Sequence, residues 1–460
     1  MSSERASSKP GPGDFFAAGG LLSPLTADLQ DGSDRAVAHA LVGTELALLR
    51  AFVRVGVAPA AVGEAALAAW REPWFDLDTT GLAQSSIADG NPVIPLLPQV
   101  RARVAAHDPD ASAWVHRGAT SQDVLDTALM LAGHDICSRL DVLLRATEGG
   151  ILRLAQQHID DPAVARTLTQ HAVPTTLGLR AARWLDALGR ARRRLAAVAD
   201  LLPAQLGGAG GTLASFVELF GEDAAAALPG AFAQEVGLRK PTAPWHTDRW
   251  PVLELGDALV AVIAALGVFG SDVAQLARTE VGEATVADGG ASSAMPQKRN
   301  PVDAVLLRSA AMRAPGLAAT LHIAAGLAVD ERPDGAWHAE WPALQELLRL
   351  AVGSGTRAVT LSAHLTLHAD RARANLDLTD GLVVGERLAL VLVPRIGRAR
   401  FDALIAGAAA DGDLAGRVRA LPEAAGLDVD ALLDPARYTG LAARMTDDAI
   451  HRALQDGIRP

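Results

Sequence analysis

Five long helical patterns occupy the middle of this 460-residue chain and constrain its fold more than any other feature. Helices of this length usually pack lengthwise into bundles. The chain is also rich in alanine and arginine, both strong helix formers. The sequence therefore predicts an all-α fold around a long central bundle. The predicted helices cover residues 121–160, 175–202, 251–286, 300–328 and 341–367.

Shorter patterns lie on either side of the predicted bundle. Over residues 34–71 the apolar positions follow helical spacing, which places Glu45 and Arg50 on the solvent side. Residues 79–98 are rich in Gly, Ser, Asn and Pro and are predicted to form mostly loop. After residue 375 the helical patterns shorten and turn signals return. The predicted parts are an N-terminal helical domain (1–112) with a flexible arm at 1–20, the central long-helix bundle (113–355) and a C-terminal helical domain (356–460).

Composition and charge exclude several classes of protein. The chain carries 42 Lys and Arg against 53 Asp and Glu, and its net charge of −11 does not suit nucleic acid or an anionic membrane. The one cysteine, Cys137, excludes a disulfide scaffold, and no Cys/His spacing indicates structural zinc. Residues 1–20 hold no signal-peptide run, and the most apolar segment, 258–270, is interpreted as a buried helix because Asp272 follows it. We expect a cytoplasmic protein with no nucleic-acid or membrane partner.

Residues 289–301 form the most informative stretch of the sequence. Its glycines and prolines predict a loop between two long helices, and loops of that length in compact proteins are usually functional. The loop contains two adjacent serines, Ser292 first, and Lys298, one of only three lysines in the chain. A serine abstracts a proton only if its alkoxide is stabilised, and an ammonium group, backbone N–H groups and a helix N-terminus all do that. Asn300 and Pro301 match the N-cap and the first position of the next helix. The alternative interpretation is a polar loop that only connects the two helices.

The pattern Ser-Ser-x-Met-Pro-x-Lys-x-Asn-Pro in this loop resembles the hallmark of the fumarase/aspartase superfamily. The resemblance implies a fumarase/aspartase-like fold of three helical domains. It also implies that Ser292 is the general base, and that Lys298 and Asn300 bind the carboxylate that becomes an aci-carboxylate dianion when the carbon proton leaves. Hydrogen bonds and charge would then hold the carbanion, so no metal and no organic cofactor is expected.

A second stretch, residues 116–127, combines a helix start with polar side chains. Thr120 and Asp123 have the T-x-x-D spacing that opens a helix, and a helix N-terminus with two hydroxyls is also a carboxylate site. The stretch resembles the second signature region of the superfamily, and its form His-x-Gly-Ala-Thr-Ser-Gln-Asp-Val is most like that of the cycloisomerase branch. By this resemblance Thr120 and Ser121 bind substrate, and His116 is a further candidate for substrate binding.

A third stretch, residues 166–178, resembles the region that supplies a catalytic histidine to fumarase and adenylosuccinate lyase. When the Arg-Thr and Pro-x-Thr-x-Gly matches are aligned, that histidine falls at Leu168. Cycloisomerases also lack it and typically carry tryptophan there, so the departure favours that branch. Gln170 matches a substrate-site glutamine. His171 is the candidate catalytic acid in place of the missing histidine, with a structural role as the alternative.

Further matches extend the resemblance over nearly the whole chain. Ser85, Ser86 and Asn91 match the N-terminal substrate loop of the cycloisomerases, and Arg332 matches a substrate-binding arginine of adenylosuccinate lyases. A guanidinium group suits a carboxylate because it can donate two parallel hydrogen bonds. The Trp-His-Ala-Glu-Trp run at 337–341 is interpreted as helix packing rather than chemistry.

The resemblance implies a lyase or cycloisomerase acting on a small polycarboxylate. The first expectation is interconversion of 3-carboxy-cis,cis-muconate and 4-carboxymuconolactone in the degradation of aromatic compounds. The alternative is a C–N lyase that releases fumarate from a substituted succinate, either nitrosuccinate with loss of nitrite or a substrate of the adenylosuccinate or argininosuccinate type. A third possibility is a catalytically inactive structural protein on this scaffold, against which the intact Ser292, Lys298 and Asn300 argue.

The long helices also predict assembly. Between Leu253 and Val273 large apolar residues recur on several faces, and a helix of that kind must be surrounded. In this superfamily four bundles pack as a two-fold symmetric tetramer. Because about 30 helical residues already span about 45 Å, Thr120, Gln170 and Ser292 are expected to meet only when different subunits contribute them. We therefore expect a homotetramer with active sites shared between subunits.

Overall fold

The computed structural model describes residues 22–27, 29, 33–71, 77–287, 289–290 and 294–460. The arm predicted for residues 1–20 lies outside the described residues, and so do Ser292 and Ser293. Lys298 and Asn300, on the far side of that gap, are described.

The described residues are mostly helical, which confirms the all-α prediction. Two small antiparallel sheets, each of two strands, interrupt the helices. They pair β1 (Pro162–Thr167) with β2 (Gln170–Thr176) and β3 (Ala284–Val286) with β4 (Leu365–Leu367). The helices are α1 (Asp34–Arg54), α2 (Ala60–Arg71), α3 (Thr79–Asp89), α4 (Val93–Ala105), α5 (Ser121–Gln157), α6 (Leu177–Ala199), α7 (Ala214–Phe220), α8 (Glu222–Val236), α9 (Trp250–Leu276), α10 (Val302–Gly326), α11 (Gly335–His364), α12 (Ala369–Leu376), α13 (Gly385–Ile396), α14 (Arg398–Asp411), α15 (Leu414–Arg419), α16 (Val429–Leu433) and α17 (Ala442–Gln455).

Five helices, α5, α6, α9, α10 and α11, form the central bundle and alternate in direction. At one end α5, α9 and α11 begin, and Arg249, just before α9, contacts Asp126 of α5 and Glu340 of α11. We call this end the Thr120 end, because Thr120 is the N-cap of α5. At the other end α5 runs into the β1–β2 hairpin and β3 pairs with β4, and we call it the hairpin end. The 37 residues of α5 separate the two ends by about 55 Å.

Close packing of α9 against α10 depends on small residues. A Cβ atom on Gly267 would lie 2.4 Å from the Cβ of Ala311, and one on Gly270 would lie 2.7 Å from the carbonyl oxygen of Ala304. Neither position tolerates a side chain without moving the helices apart. These glycines lie in the middle of a helix, where they cost conformational entropy, so the close helix contact must compensate for them.

Two predicted boundaries are wrong. Residues 79–98, predicted as mostly loop, form α3 and the first part of α4. Asp78 caps α3 by accepting a hydrogen bond from the backbone N–H of Gly81, and α4 contains Pro98 within its length. The apolar face of α4 is fully buried at Val93, Leu96 and Val100, and that burial outweighs the helix-breaking composition. In addition, the helix predicted over 251–286 ends at Leu276, and the chain continues into β3.

The C-terminal helices pack on the hairpin end. Their core joins α12 to α16, and Val164 of β1 contributes to it. The last helix, α17, lies along α6, where Arg452 pairs with Asp186. The hairpin is thereby held between the bundle and the C-terminal helices, which fixes the position of its tip.

Two described helices are long and apolar enough to pass a membrane-span test by length and composition, α1 and α9. More than half of each tested window is buried inside the protein, 61% for α1 and 56% for α9. Burial of this extent is typical of core helices, and it agrees with the interpretation of residues 258–270 as a buried helix.

Candidate active site

The residues predicted for the site fall into two groups at opposite ends of the bundle. His116, Thr120, Ser121 and Arg332 lie at the Thr120 end, where α5 starts. Gln170, His171, Lys298 and Asn300 lie at the hairpin end. About 55 Å of helix α5 separates the groups, so one chain cannot bring Thr120 and Gln170 to the same substrate.

Asp123 organises the Thr120 end. Its fully buried carboxylate accepts hydrogen bonds from the backbone N–H groups of Thr120 (3.1 Å), Gly207 (2.9 Å) and Gly208 (3.0 Å), and Oδ1 lies 2.9 Å from Nε2 of His246. The N-terminus of α5 is therefore hydrogen-bonded, through Asp123, to the glycine-rich segment 207–211. Sequence analysis did not identify His246 as part of this arrangement, since a lone histidine in a connecting segment carries no periodic signal.

Arg332 reaches Thr120 as expected. Its Nη2 donates a hydrogen bond to the hydroxyl of Thr120 and another to the carbonyl oxygen of Ala209, 3.3 Å away. Arg332 comes from the segment between α10 and α11, and Thr120 precedes α5. A guanidinium group, a hydroxyl and the first backbone N–H groups of a helix can together hold a substrate carboxylate.

Behind these residues lies a fully buried ionic cluster. The guanidinium of Arg249 binds Asp126 through Nη1 (2.7 Å) and Nη2 (2.9 Å), and Nη2 also binds Glu340 (2.8 Å). The indole N–H of Trp337 donates to Asp126 at 2.9 Å. Burial opposes the charge of Arg249, but its two carboxylate partners raise its pKa further above the ordinary value. Trp337 and Glu340 of the Trp-His-Ala-Glu-Trp run therefore serve packing and charge pairing, which agrees with the interpretation of this run as helix packing.

His116 is paired with Glu45, which was predicted to face solvent. Its Nδ1 lies 2.6 Å from Oε1 of Glu45, which is fully buried in α1. The prediction that Glu45 faces solvent is therefore wrong, because helix α1 packs on α5 and α8 and is surrounded on more than one side. Arg50, predicted on the same side, is partly buried against Glu235. Burial opposes protonation of His116, but the hydrogen bond and charge of Glu45 outweigh it and raise the pKa of the imidazole.

The N-terminal candidates are held within their own segment. The side chain of Asn91 donates to the carbonyl of Asp89 and accepts from the backbone N–H of Val93, which shapes the turn between α3 and α4. The hydroxyl of Ser86 donates to the carbonyl of Leu82 one turn earlier, and Ser85 is exposed on α3. The turn approaches the Thr120 end through Gly90, whose carbonyl lies 2.8 Å from Nε2 of His338.

At the hairpin end, a rigid hairpin carries exposed side chains. Arg166 of β1 and Arg180 of α6 both bind Glu283, and these partners outweigh burial and lower the pKa of Glu283. The tip itself is a tight turn in which Leu168 and Thr169 adopt φ values of 48° and 73°. Leu168 is 97% exposed, so the position aligned with the usual histidine presents an apolar side chain to the outside.

Gln170 and His171 lie beside this tip. Gln170 is exposed and opposite Thr167, and His171 is partly buried opposite Arg166. Burial, followed by the charge of Arg166, lowers the pKa of His171. A lowered pKa reduces the protonated fraction of the imidazole at any given pH, so it weighs against a general-acid role for His171.

The serine loop has a closed neck. The backbones of Gly290 and Asn300 exchange two hydrogen bonds, of 2.8 Å and 3.0 Å, and so close the stretch of chain that the serine motif occupies in the sequence. Lys298 is exposed on its outgoing side. The predicted cap is shifted by one position, because α10 begins at Val302 with Pro301 as its N-cap.

No group of three or more His, Cys, Asp or Glu side chains among the described residues is placed to hold a metal ion. The described polar groups at both ends are instead those that bind carboxylates: guanidinium, ammonium, hydroxyl, amide and free backbone N–H.

Comparisons with known proteins agree with this chemistry. A profile of the family described as Lyase matches residues 40–316. Nitrosuccinate lyase from Streptomyces davaonensis is 48% identical over 94% of each chain, and 3-carboxy-cis,cis-muconate cycloisomerase from Pseudomonas aeruginosa is 40% identical over 92% of this chain and 94% of its own. The crystal structure of 3-carboxy-cis,cis-muconate lactonizing enzyme from Pseudomonas putida matches with a TM-score of 0.83 at 36% identity, covering 92% of this chain and 96% of that one. The chain is therefore an enzyme of the fumarase/aspartase superfamily.

Proposed function

We propose that this enzyme eliminates an anionic group from a small polycarboxylate, with Ser292 as the base. Ser292 takes the proton from the carbon next to a carboxylate, and Lys298 and Asn300 stabilise the dianion that results. The bond to the leaving group then breaks, its electron pair departs with that group, and a double bond forms. The observation that carries this proposal is the closed neck, in which the backbones of Gly290 and Asn300 exchange hydrogen bonds two residues before helix α10 begins.

The first substrate to test is nitrosuccinate, which would give fumarate and nitrite. The identity of 48% to the Streptomyces nitrosuccinate lyase exceeds that of 40% to the Pseudomonas aeruginosa cycloisomerase at similar coverage. Leu168 is compatible with this choice. Nitrite is a stable anion and leaves without protonation, so an apolar side chain where relatives carry an acid does not impede the reaction.

The second candidate is the cycloisomerase reaction. It is supported by the His-x-Gly-Ala-Thr-Ser-Gln-Asp-Val stretch and by the structural match to the Pseudomonas putida enzyme. In the elimination direction the lactone oxygen of 4-carboxymuconolactone departs as a carboxylate. In the other direction the carboxylate of 3-carboxymuconate adds to a double bond. This leaving group is also a stable anion, so both candidates require the same features of the site.

The exposed surface of the bundle supports a homotetramer with shared sites. Val305, Met312 and Ile323 of α10 are all more than half exposed, and their spacing of seven and eleven residues places them within about 20° of one line along the helix. Val268 extends the apolar surface onto α9. A stripe of this length on helices of the central bundle is suited to a second copy of the chain. Antiparallel packing there would bring a Thr120 end beside a hairpin end.

The remaining expectations follow from the same reaction. Carbanion stabilisation by hydrogen bonds and charge requires neither a metal nor an organic cofactor, so chelators should leave turnover unchanged. We expect the enzyme to act in the cytoplasm, with no nucleic-acid or membrane partner.

One assay pair tests the proposal. The purified enzyme is incubated with nitrosuccinate, and released nitrite is measured by colorimetry. A parallel reaction follows the loss of ultraviolet absorbance of 3-carboxy-cis,cis-muconate. Nitrite release that is absent in the Ser292→Ala variant supports the first candidate, and absorbance loss with the same dependence supports the second. Turnover of neither compound, or turnover that survives Ser292→Ala, would contradict the proposed elimination.

A further inference from the structure

The pairing of Glu45 with His116 has no explanation in packing alone. Glu45 is fully buried, and burying a carboxylate is costly unless it is paired. Only Oε1 is used, at 2.6 Å from Nδ1 of His116, whereas Oε2 has no hydrogen-bond partner among the described residues. A helix that needed only stability at this position would carry an apolar residue, as its neighbours Leu46 and Ala47 do.

The backbone at His116 is also unusual. Its φ angle of 63° lies in the left-handed region, where residues other than glycine are uncommon. Gly118, two residues later, has a φ angle of 78°, so the chain bends twice between the buried Val115 and the N-cap Thr120. Such backbone outliers cluster at functional sites, where the surrounding structure holds them.

The two ring nitrogens of His116 have different surroundings. Nδ1 is occupied by the carboxylate, and Nε2 makes no hydrogen bond to a described residue. The side chain keeps 15% of its surface exposed, and Nε2 is not among the described side-chain atoms that are both buried and without a hydrogen-bond partner. His116 is four residues from Thr120, whose hydroxyl is bound by Arg332. Nε2 therefore belongs to the same end of the bundle as the proposed carboxylate-binding residues.

The charges around His116 favour its cationic form. The charged groups that act on it are Glu45 from α1, Asp123 from α5 and Arg101 from α4. Burial and Arg101 oppose protonation, but the two carboxylates outweigh them and raise the pKa of the imidazole. In the cationic form Nδ1–H binds Glu45 and Nε2–H is available as a donor, and the raised pKa extends the pH range in which that form is present.

We propose that Glu45 and His116 act as one unit, in which the carboxylate of Glu45 fixes the imidazole so that Nε2–H bonds the anion that departs from the substrate. His116 is then a catalytic residue and Glu45 a positioning residue. This inference rests on the proposed elimination, because it assigns the donor that the departing anion meets. Leu168 supports it, since the position of the usual histidine offers no donor, while Arg332 and Thr120 are suited to a carboxylate that stays on the substrate.

The first arm of the test needs no substrate. The resonance of His116 is titrated by NMR on enzyme with 13C-labelled histidine, and the His116→Gln variant identifies it. We expect a pKa above the ordinary value of 6.5 in the unmodified enzyme, and a decrease of about one unit in Glu45→Gln. Glutamine keeps the shape and a hydrogen-bond acceptor but removes the charge. A pKa at or below 6.5, or one that Glu45→Gln leaves unchanged, would contradict the unit.

The second arm measures kcat/KM against pH. Because a raised pKa keeps the cation present below it, activity should decline as pH rises through the pKa of His116. Glu45→Gln should shift that decline about one unit lower, which lowers activity up to about tenfold above both pKa values and little below them. His116→Gln should remove the decline. Glu235→Gln is the matched control, because Glu235 also binds α1, through Arg50 and Arg54, but away from His116.

The two proposals fail in different ways. If neither nitrosuccinate nor 3-carboxymuconate is turned over, the proposed function is wrong, and the NMR titration still tests the pairing. If turnover occurs but the decline does not move in Glu45→Gln, or moves equally in Glu235→Gln, the elimination stands and the role of Glu45 is contradicted.

Discussion

The two ends of the central bundle place polar residues in opposite ways. At the Thr120 end the candidate residues are supported from behind by buried carboxylates, Asp123 under Thr120 and Glu45 under His116. At the hairpin end Gln170 and Lys298 are exposed on the outside of a hairpin and a loop. The candidate residues of the first end are therefore held by the fold of their own chain, whereas we propose that the second end becomes a site only when another subunit packs against it. Substitutions behind Thr120 should therefore affect stability, and those on the serine loop should affect turnover alone.

The largest effect is expected on the loop. Ser292→Ala removes the base and should lower turnover by about 10²- to 10⁴-fold without changing the thermal midpoint of unfolding. Ser293→Ala is the matched control and should be much milder, since only the first serine is assigned the proton transfer. Turnover close to that of the unmodified enzyme in Ser292→Ala would remove this residue from the mechanism.

The next effect should appear in stability and only at the other end. Arg249→Met leaves Asp126 and Glu340 as unpaired buried carboxylates and should lower the free energy of unfolding by about 3–5 kcal/mol. Arg313→Met breaks the surface pair with Glu346 and should cost less than about 1 kcal/mol. Denaturant unfolding of both variants measures the difference. Equal costs would show that the cluster does not support the Thr120 end.

A smaller effect on turnover is expected at Lys298. The Lys298→Met variant keeps the length of the side chain but loses the charge that stabilises the dianion, so kcat should fall about a hundredfold while KM changes little. Steady-state kinetics with whichever of the two candidate substrates is turned over separates kcat from KM. A rise in KM at unchanged kcat would show that Lys298 serves only the ground state.

The smallest effect is expected at His171. Burial and Arg166 lower its pKa, so its imidazole loses its proton at a lower pH than a free imidazole does. His171→Asn should therefore leave the dependence of kcat on pH unchanged. Loss of a titrating group from that profile would restore His171 as the general acid and would assign chemistry, rather than support, to the hairpin.

The regular part of the fold was predictable from local patterns. All five long helices are present where apolar periodicity placed them, because each buries a continuous stripe that the sequence displays directly. Residues 79–98 were misassigned because glycine, serine and proline hide the buried face of α4. The sequence also shows no sign that the helix predicted through residue 286 ends early. Glu283 lies beyond the end of this helix and pairs with Arg166 and Arg180, which are more than a hundred positions away in the sequence.

The site was predictable only where a motif carried it. Thr120 and Arg332 come from separate motifs, and the structure brings them into contact. The roles of Glu45 and His246 depend instead on the distant residues that they approach, His116 for Glu45 and Asp123 for His246. Partnerships across 71 and 123 residues of sequence leave no local signal.

The central claim, that one active site needs both ends from different chains, is tested most directly by mixing inactive variants. One chain carries Ser292→Ala, and the other carries Thr120→Ala with Arg332→Met. The two are dissociated together and reassembled in equal amounts, with each variant alone as the control. If a site takes its Thr120 end and its serine loop from different subunits, about a quarter of the sites should contain no substitution, and activity should recover to about that fraction. No recovery after proven subunit exchange, or full activity in a monomer, would contradict the account.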